Sequence, residues 1–137
     1  MWSNRVLVVD DDPDVVVYLT SFLEDNGYET RGASDSARAI AVLDGFHPDA
    51  ILLDVLMPGR SGLDLLVTLR RDPRWCNICM VLVTGLDQIL QDDCQSYLGS
   101  RHGIRGPDAL LAKPVDPKVL LAILRKLEGD AASGARE

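Results

Sequence analysis

The sequence predicts an α/β domain, a five-stranded parallel sheet with helices on both faces. Two observations carry this. Short, continuously apolar runs alternate five times with longer segments whose apolar residues recur at helical spacing. Several of those runs show no polar alternation, as expected for strands covered on both sides. Strict alternation implies parallel pairing, because each crossover must return the chain to the same end of the sheet.

The elements follow in order. Val6-Leu7-Val8-Val9 is the first strand. Asp12-Pro13 reads as a helix start, with Asp12 as N-cap and Pro13 at the first helical position. That helix runs to about Asn26 with Val15, Val16, Leu19, Phe22 and Leu23 on its apolar face, and Gly27 ends it. A weaker second strand covers Tyr28 to Arg31. Ser34 is expected to cap a second helix through about Asp44, carrying Ala37, Ile40, Ala41 and Leu43 inward. Ala50-Ile51-Leu52-Leu53 is the third strand. Met57-Pro58-Gly59 turns the chain, and Ser61 to Arg71 forms the third helix. Residues 79–83 make the fourth strand, and a polar helix is expected over 88–98. Ala109-Leu110-Leu111-Ala112 is the fifth strand. Pro117 opens the last helix, with Leu120, Ile123, Leu124 and Leu127 as its stripe. Five such βα units suit the flavodoxin-like (βα)5 order 2-1-3-4-5. The domain is expected over 1–128, and 129–137 (GDAASGARE) as a flexible tail or the start of a linker.

At 137 residues the chain is one domain's worth. Its 47% hydrophobic and 26% charged residues are ordinary for a globular domain. No apolar run approaches a membrane span, and no signal peptide is evident, so a cytoplasmic protein without membrane contact is expected. A formal charge of −7, from 21 acidic and 14 basic residues, argues against a nucleic-acid surface. Three cysteines do not suit a secreted disulfide framework. Cys76 and Cys79 have CxxC spacing, but the pair leads into an apolar strand rather than opening a helix, so buried or loop thiols are the better reading. His47 and His102 read as surface loop residues, and Cys94 as a packing residue on the polar helix.

Four polar features follow four strands: Asp10 and Asp11, then Asp54, Thr84 and Lys113. In a parallel sheet these ends share one edge, where open α/β folds bind their ligands. In the order 2-1-3-4-5 the four strands concerned are neighbours, and strand 2, which ends without an acid, lies outside. Three close carboxylates would raise one another's pKa unless a cation neutralised them. A hard, oxygen-seeking ion such as Mg2+ meets that need. The metal could bridge a phosphoryl group while a carboxylate serves as nucleophile. Lys113 would add a positive charge and Thr84 a hydroxyl. Each residue alone has an ordinary reading as cap, turn or strand residue; their joint placement favours the chemistry.

With VLVVDDDP (6–13), LLDVLMPGRSG (52–62), VLVTG (81–85) and AKPVD (112–116), the sequence resembles the response-regulator receiver family over nearly all of residues 4–128. The resemblance implies a phosphorelay signalling domain, not an enzyme in the ordinary sense, that assists its own phosphorylation and dephosphorylation. It implies Asp54 as phosphoacceptor, with Mg2+ held by Asp11 and Asp54, by Asp10 largely through water, and by the Leu56 backbone carbonyl. Lys113 would pair with the phosphate, and the Lys113-Pro114 bond would be cis. The donor would be a sensor histidine kinase or a histidine phosphotransfer protein. The output would be a switched face made by the helix over 88–98, the fifth strand and the last helix, through which a homodimer could form.

Two departures from the family pattern stand out. Leu110 occupies the strand-5 position where an aromatic commonly follows the Thr hydroxyl, and the segment from Thr84 to Lys113, with its 100–107 loop, is long. An atypical signalling face is expected. Leu56 and Leu86 flank the path of attacking water, and two leucines should screen it, so slow self-dephosphorylation is expected. Two other readings compete. A haloacid-dehalogenase-type phosphohydrolase would use Asp10 as nucleophile, but Asp14 stands where its motif needs Thr or Val. A receiver-like interaction module that is never phosphorylated would not need the full set of charged groups. The chain could be a free-standing receiver or part of a longer regulator.

Overall fold

The computed structural model describes residues 3–55, 62–84 and 106–132. They form β1 (Arg5–Val9), α1 (Pro13–Asp25), β2 (Glu29–Ala33), α2 (Ser36–Phe46), β3 (Ala50–Asp54), α3 (Gly62–Arg70), β4 (Cys79–Thr84), β5 (Ala109–Ala112) and a C-terminal helix (Pro117–Ala132). The helix expected over 88–98, the Met57-Pro58-Gly59 turn, Leu56, Leu86, Cys94, His102 and the last tail residues lie outside the described residues.

All four strand pairings are parallel, and the sheet order is β2-β1-β3-β4-β5, as the alternation required. Successive strand residues face opposite sides, and this divides the core in two. Leu7, Ile51, Leu53, Met80 and Leu82 pack with α2 and α3. Val6, Val8, Leu52, Val81 and Val83 pack with α1 and the C-terminal helix. The central strands are buried along their length, which explains why they read as unbroken apolar runs.

Asp12 caps α1 through its carboxylate, which accepts from the Asp14 N–H at 2.9 Å, with Pro13 opening the helix. At the other end Gly27 has φ +92. The Gly27 N–H reaches Glu24 O, and the Tyr28 N–H reaches Leu23 O. This is the Schellman pattern, and it turns the chain straight into β2.

Three expectations need correction. The second strand runs over Glu29–Ala33 rather than Tyr28–Arg31, because it pairs residue for residue with Arg5–Val9. The N-cap of α2 is Asp35, not Ser34, and its carboxylate accepts from the Arg38 N–H at 2.8 Å. Its buried stripe is Ser36, Ala39, Leu43 and Phe46. Of the four residues expected inward only Leu43 is; Ala37 and Ala41 are exposed, and Ile40 is 41% exposed. The large Phe46 at the helix end takes the deep position and sets the helix rotation.

Candidate functional site

The carboxyl ends of β1, β3 and β5 bring the charged residues together. The Asp10 N–H continues the β1–β2 ladder by donating to Ala33 O at 3.1 Å. Its buried carboxylate is held from two directions: Oδ1 accepts from the Asp12 N–H at 2.9 Å, and Oδ2 lies 3.3 Å from Lys113 Nζ. The same ammonium lies 3.3 Å from Oδ2 of Asp54, the buried last residue of β3. Lys113 thus bridges two carboxylates with only 4% and 5% of their side chains exposed. Burial alone would lower the Lys113 pKa. The charges of Asp10 and Asp54, and their hydrogen bonds, outweigh it and hold the ammonium above its ordinary range.

Asp11 is exposed beside this pair, and one oxygen from each of Asp10, Asp11 and Asp54 falls within a common span of 4.8 Å. Opposite ligands on an octahedral Mg2+ stand about 4.2 Å apart. A set of hard carboxylate oxygens this close fits such an ion, with a water able to make up the small excess. The carboxylates also need a cation, since one lysine cannot neutralise three of them.

Thr84 closes β4 opposite Ala112, so its backbone stands on the same rim; its hydroxyl lies outside the described part. The Leu56 carbonyl also lies outside it. The Lys113-Pro114 bond is cis, as expected. A groove of about 620 Å3 borders the site, lined by Asp12, Val15, Tyr18, Leu19, Lys113, Pro114 and Val115.

The other candidates stand apart. Cys76 lies in the loop before β4 and Cys79 is buried at its start, and among the described residues neither is in a disulfide. His47 caps α2 in a left-handed conformation (φ 52), with its ring 5.6 Å from Trp75. Sequence reasoning missed Arg70 and Asp108, an ion pair of 2.9 Å whose side chains are 2% and 13% exposed. A signal existed: Arg70 continues the apolar register of Leu63, Leu66 and Val67.

A doubly wound parallel sheet with this acidic pocket at its carboxyl edge defines a signal-receiving α/β domain. Residues 6–125 match the family model described as the response regulator receiver domain, and the chain belongs to that family. It is 35% identical over 123 residues to the DNA-binding dual master transcriptional regulator RpaA of Synechocystis, covering 90% of this chain and 48% of RpaA. It is 33% identical over 117 residues to Protein PilH of Pseudomonas aeruginosa, covering 85% of this chain and 91% of PilH. The solved structure of the response regulator TrrA of Thermotoga maritima, in complex with Mg2+-BeF, matches with TM-score 0.75 and 26% identity, over 91% of this chain and 99% of that one. The chain spans about half the length of RpaA but nearly all of PilH. It is a receiver domain of phosphorelay signalling, a family that receives phosphoryl groups from histidine kinases. Among the described residues no helix is long and apolar enough to cross a membrane.

Proposed function

We propose that Asp54 is the phosphoacceptor and that Asp10, Asp11 and Asp54 hold the Mg2+ on which the transfer depends. The observation that carries this is the meeting of three carboxylates and one ammonium at the ends of β1, β3 and β5. The complex of TrrA with Mg2+-BeF supports the choice of ion.

In the transfer, an Asp54 oxygen attacks the phosphorus of a phosphohistidine on a sensor kinase or phosphotransfer protein. The O–P bond forms as the N–P bond breaks, and the imidazole nitrogen keeps the electron pair. Bound Mg2+ would supply charge neutralisation to the phosphoryl oxygens. Lys113 would shift its charge from the two carboxylates to the transferred group, Thr84 would donate its hydroxyl to a phosphoryl oxygen, and the Leu56 carbonyl would be a further donor to the metal. The domain so assists its own phosphorylation and later hydrolysis. The groove along α1 gives the donor a surface beside the acceptor.

The phosphoryl group then biases the face carried by β5 and the C-terminal helix, where a second copy can pair; the helix expected over 88–98 lies outside the described residues. Leu110 is half-buried against the α2–α3 side of the core, so coupling to Thr84 runs through an aliphatic side chain. The domain works in the cytoplasm, and at −7 its partners are proteins rather than nucleic acid.

Incubation with Mg2+ and phosphoramidate, followed by mapping of the acyl phosphate, tests the reading. The adduct is expected on Asp54 and lost in Asp54→Asn or on chelation. An adduct on Asp10 would instead support a phosphohydrolase of the haloacid-dehalogenase type, and no adduct at all would leave a pure interaction module.

A further inference from the structure

Lys113 reaches the site from the end of β5, a short strand paired residue for residue with β4. β5 has four residues and, among the described residues, pairs with β4 alone. Only Leu111 of the four is buried. The entry of β5, on the opposite rim of the sheet, is tied in by a buried guanidinium. There the Arg70 guanidinium donates to Cys76 O and Ile78 O, both at 2.8 Å, to Gly106 O at 3.1 Å and to Asp108 Oδ2 at 2.9 Å. The same Asp108 oxygen accepts from the Met80 N–H at 2.8 Å, and the Asp108 N–H donates to Met80 O at 2.8 Å.

We infer that Arg70 is a positioning residue for Lys113: its buried guanidinium joins the end of α3 and the start of β4 to the chain entering β5, and so sets where the ammonium arrives. An extended strand transmits an axial shift with little loss, and Asp108 and Lys113 are about 17 Å apart along it. A slip of about 1 Å would force the Lys113 side chain to rearrange to keep Nζ, now 3.3 Å from both carboxylates, between them. Only a planar, forked donor serves four acceptors at once, so lysine cannot replace Arg70.

The inference rests on the proposed chemistry at Asp54, and its test separates the two. Mg2+ affinity by calorimetry, phosphorylation rate with phosphoramidate, and amide exchange of the metal-free protein are measured for Arg70→Lys, Arg70→Met, Lys113→Ala and the Arg70→Lys/Lys113→Ala pair. Removing Lys113 takes a competing cation from the carboxylates, so Mg2+ binding tightens while phosphorylation slows. Arg70→Lys is expected to move both in the same directions, by roughly two- to thirtyfold, and to speed exchange at Leu111 and Ala112 relative to β1 and β3. In the Lys113→Ala background it should change Mg2+ affinity no further. General destabilisation would not tighten metal binding. Unchanged Mg2+ affinity in Arg70→Lys, or an equal effect with and without Lys113, overturns the inference. Should Arg70→Met fail to fold, Asp108→Asn carries the same comparison. A parent that binds Mg2+ but takes no phosphoryl group would refute the chemistry at Asp54 and leave the positioning claim to the metal and exchange measurements.

Discussion

At the scale of single residues, both carboxylate oxygens of Asp10 are engaged, one by the Asp12 N–H and one by Lys113. Such a carboxylate has little freedom to ligate directly, and the role proposed for it is through water. Asp11, exposed, is free to turn toward an ion. On the proposed chemistry, access of water to Asp54 governs the lifetime of the phosphoryl group. Leu56→Asn is expected to speed loss of the phosphoryl group severalfold, on the order of tenfold, by placing an amide that orients water. The decay of the isolated phosphoprotein in Mg2+ buffer measures this, and an unchanged half-life would sink the screening idea. Asp10, Asp11, Asp54 and Lys113 were legible because each follows an apolar run, and the topology alone brings those run ends together. The pairing of Arg70 with Asp108 was not. They lie 38 positions apart, and each is ordinary at the end of a helix or before a strand.

At the scale of elements, the start of α1 does two jobs. The Asp12 side chain caps the helix while its backbone N–H orients Asp10. Asp12→Ala should cost about 1 kcal/mol by urea denaturation, whereas Asp12→Asn, an equally good cap, should cost almost nothing. α1 also packs closely on β2. A Cβ at Gly32 would stand 2.5 Å from Val16 Cγ1. Val16 is β-branched and cannot turn aside, so Gly32→Ala should destabilise by about 1–3 kcal/mol. Adding Val16→Ala should recover part of the loss, which the double-mutant cycle reads directly. The rotation of α2 shows where sequence reasoning stops. Ala37, Ile40 and Ala41 form as regular a stripe as Ala39, Leu43 and Phe46. Only contact with α2's neighbours, including Leu53 and Val9, selects the second.

At the scale of the whole molecule, the C-terminal helix closes one face of the sheet over the end of α1. Tyr28, 6% exposed in that layer, has its pKa raised, first by burial and then by the charge of Glu128, against a smaller opposing effect of Arg125. The folded state therefore holds the phenolic proton more tightly than the unfolded chain does. The associated stability is fully present below the unfolded pKa of about 10 and is lost as pH rises through and beyond it. Urea midpoints should fall across that alkaline range, and Tyr28→Phe should flatten the fall. The sheet order itself was legible, because strict alternation leaves few topologies and the polar strand ends choose among them. The partial cover of β5 was not, since Ala109-Leu110-Leu111-Ala112 is as apolar as the buried strands, and it is half covered at the edge of the sheet formed by the described residues.

Trp75 gives this molecule a built-in optical reporter. Its indole is 6% exposed, with the Arg74 guanidinium 5.4 Å from the ring centroid, in the loop whose Cys76 and Ile78 carbonyls receive Arg70. In a Trp2→Phe background its emission should be blue-shifted in the native protein, move to the red when the loop opens, and stay constant as Mg2+ is titrated into the far rim. A dye-free measurement can then separate damage to the scaffold from events at the carboxylates.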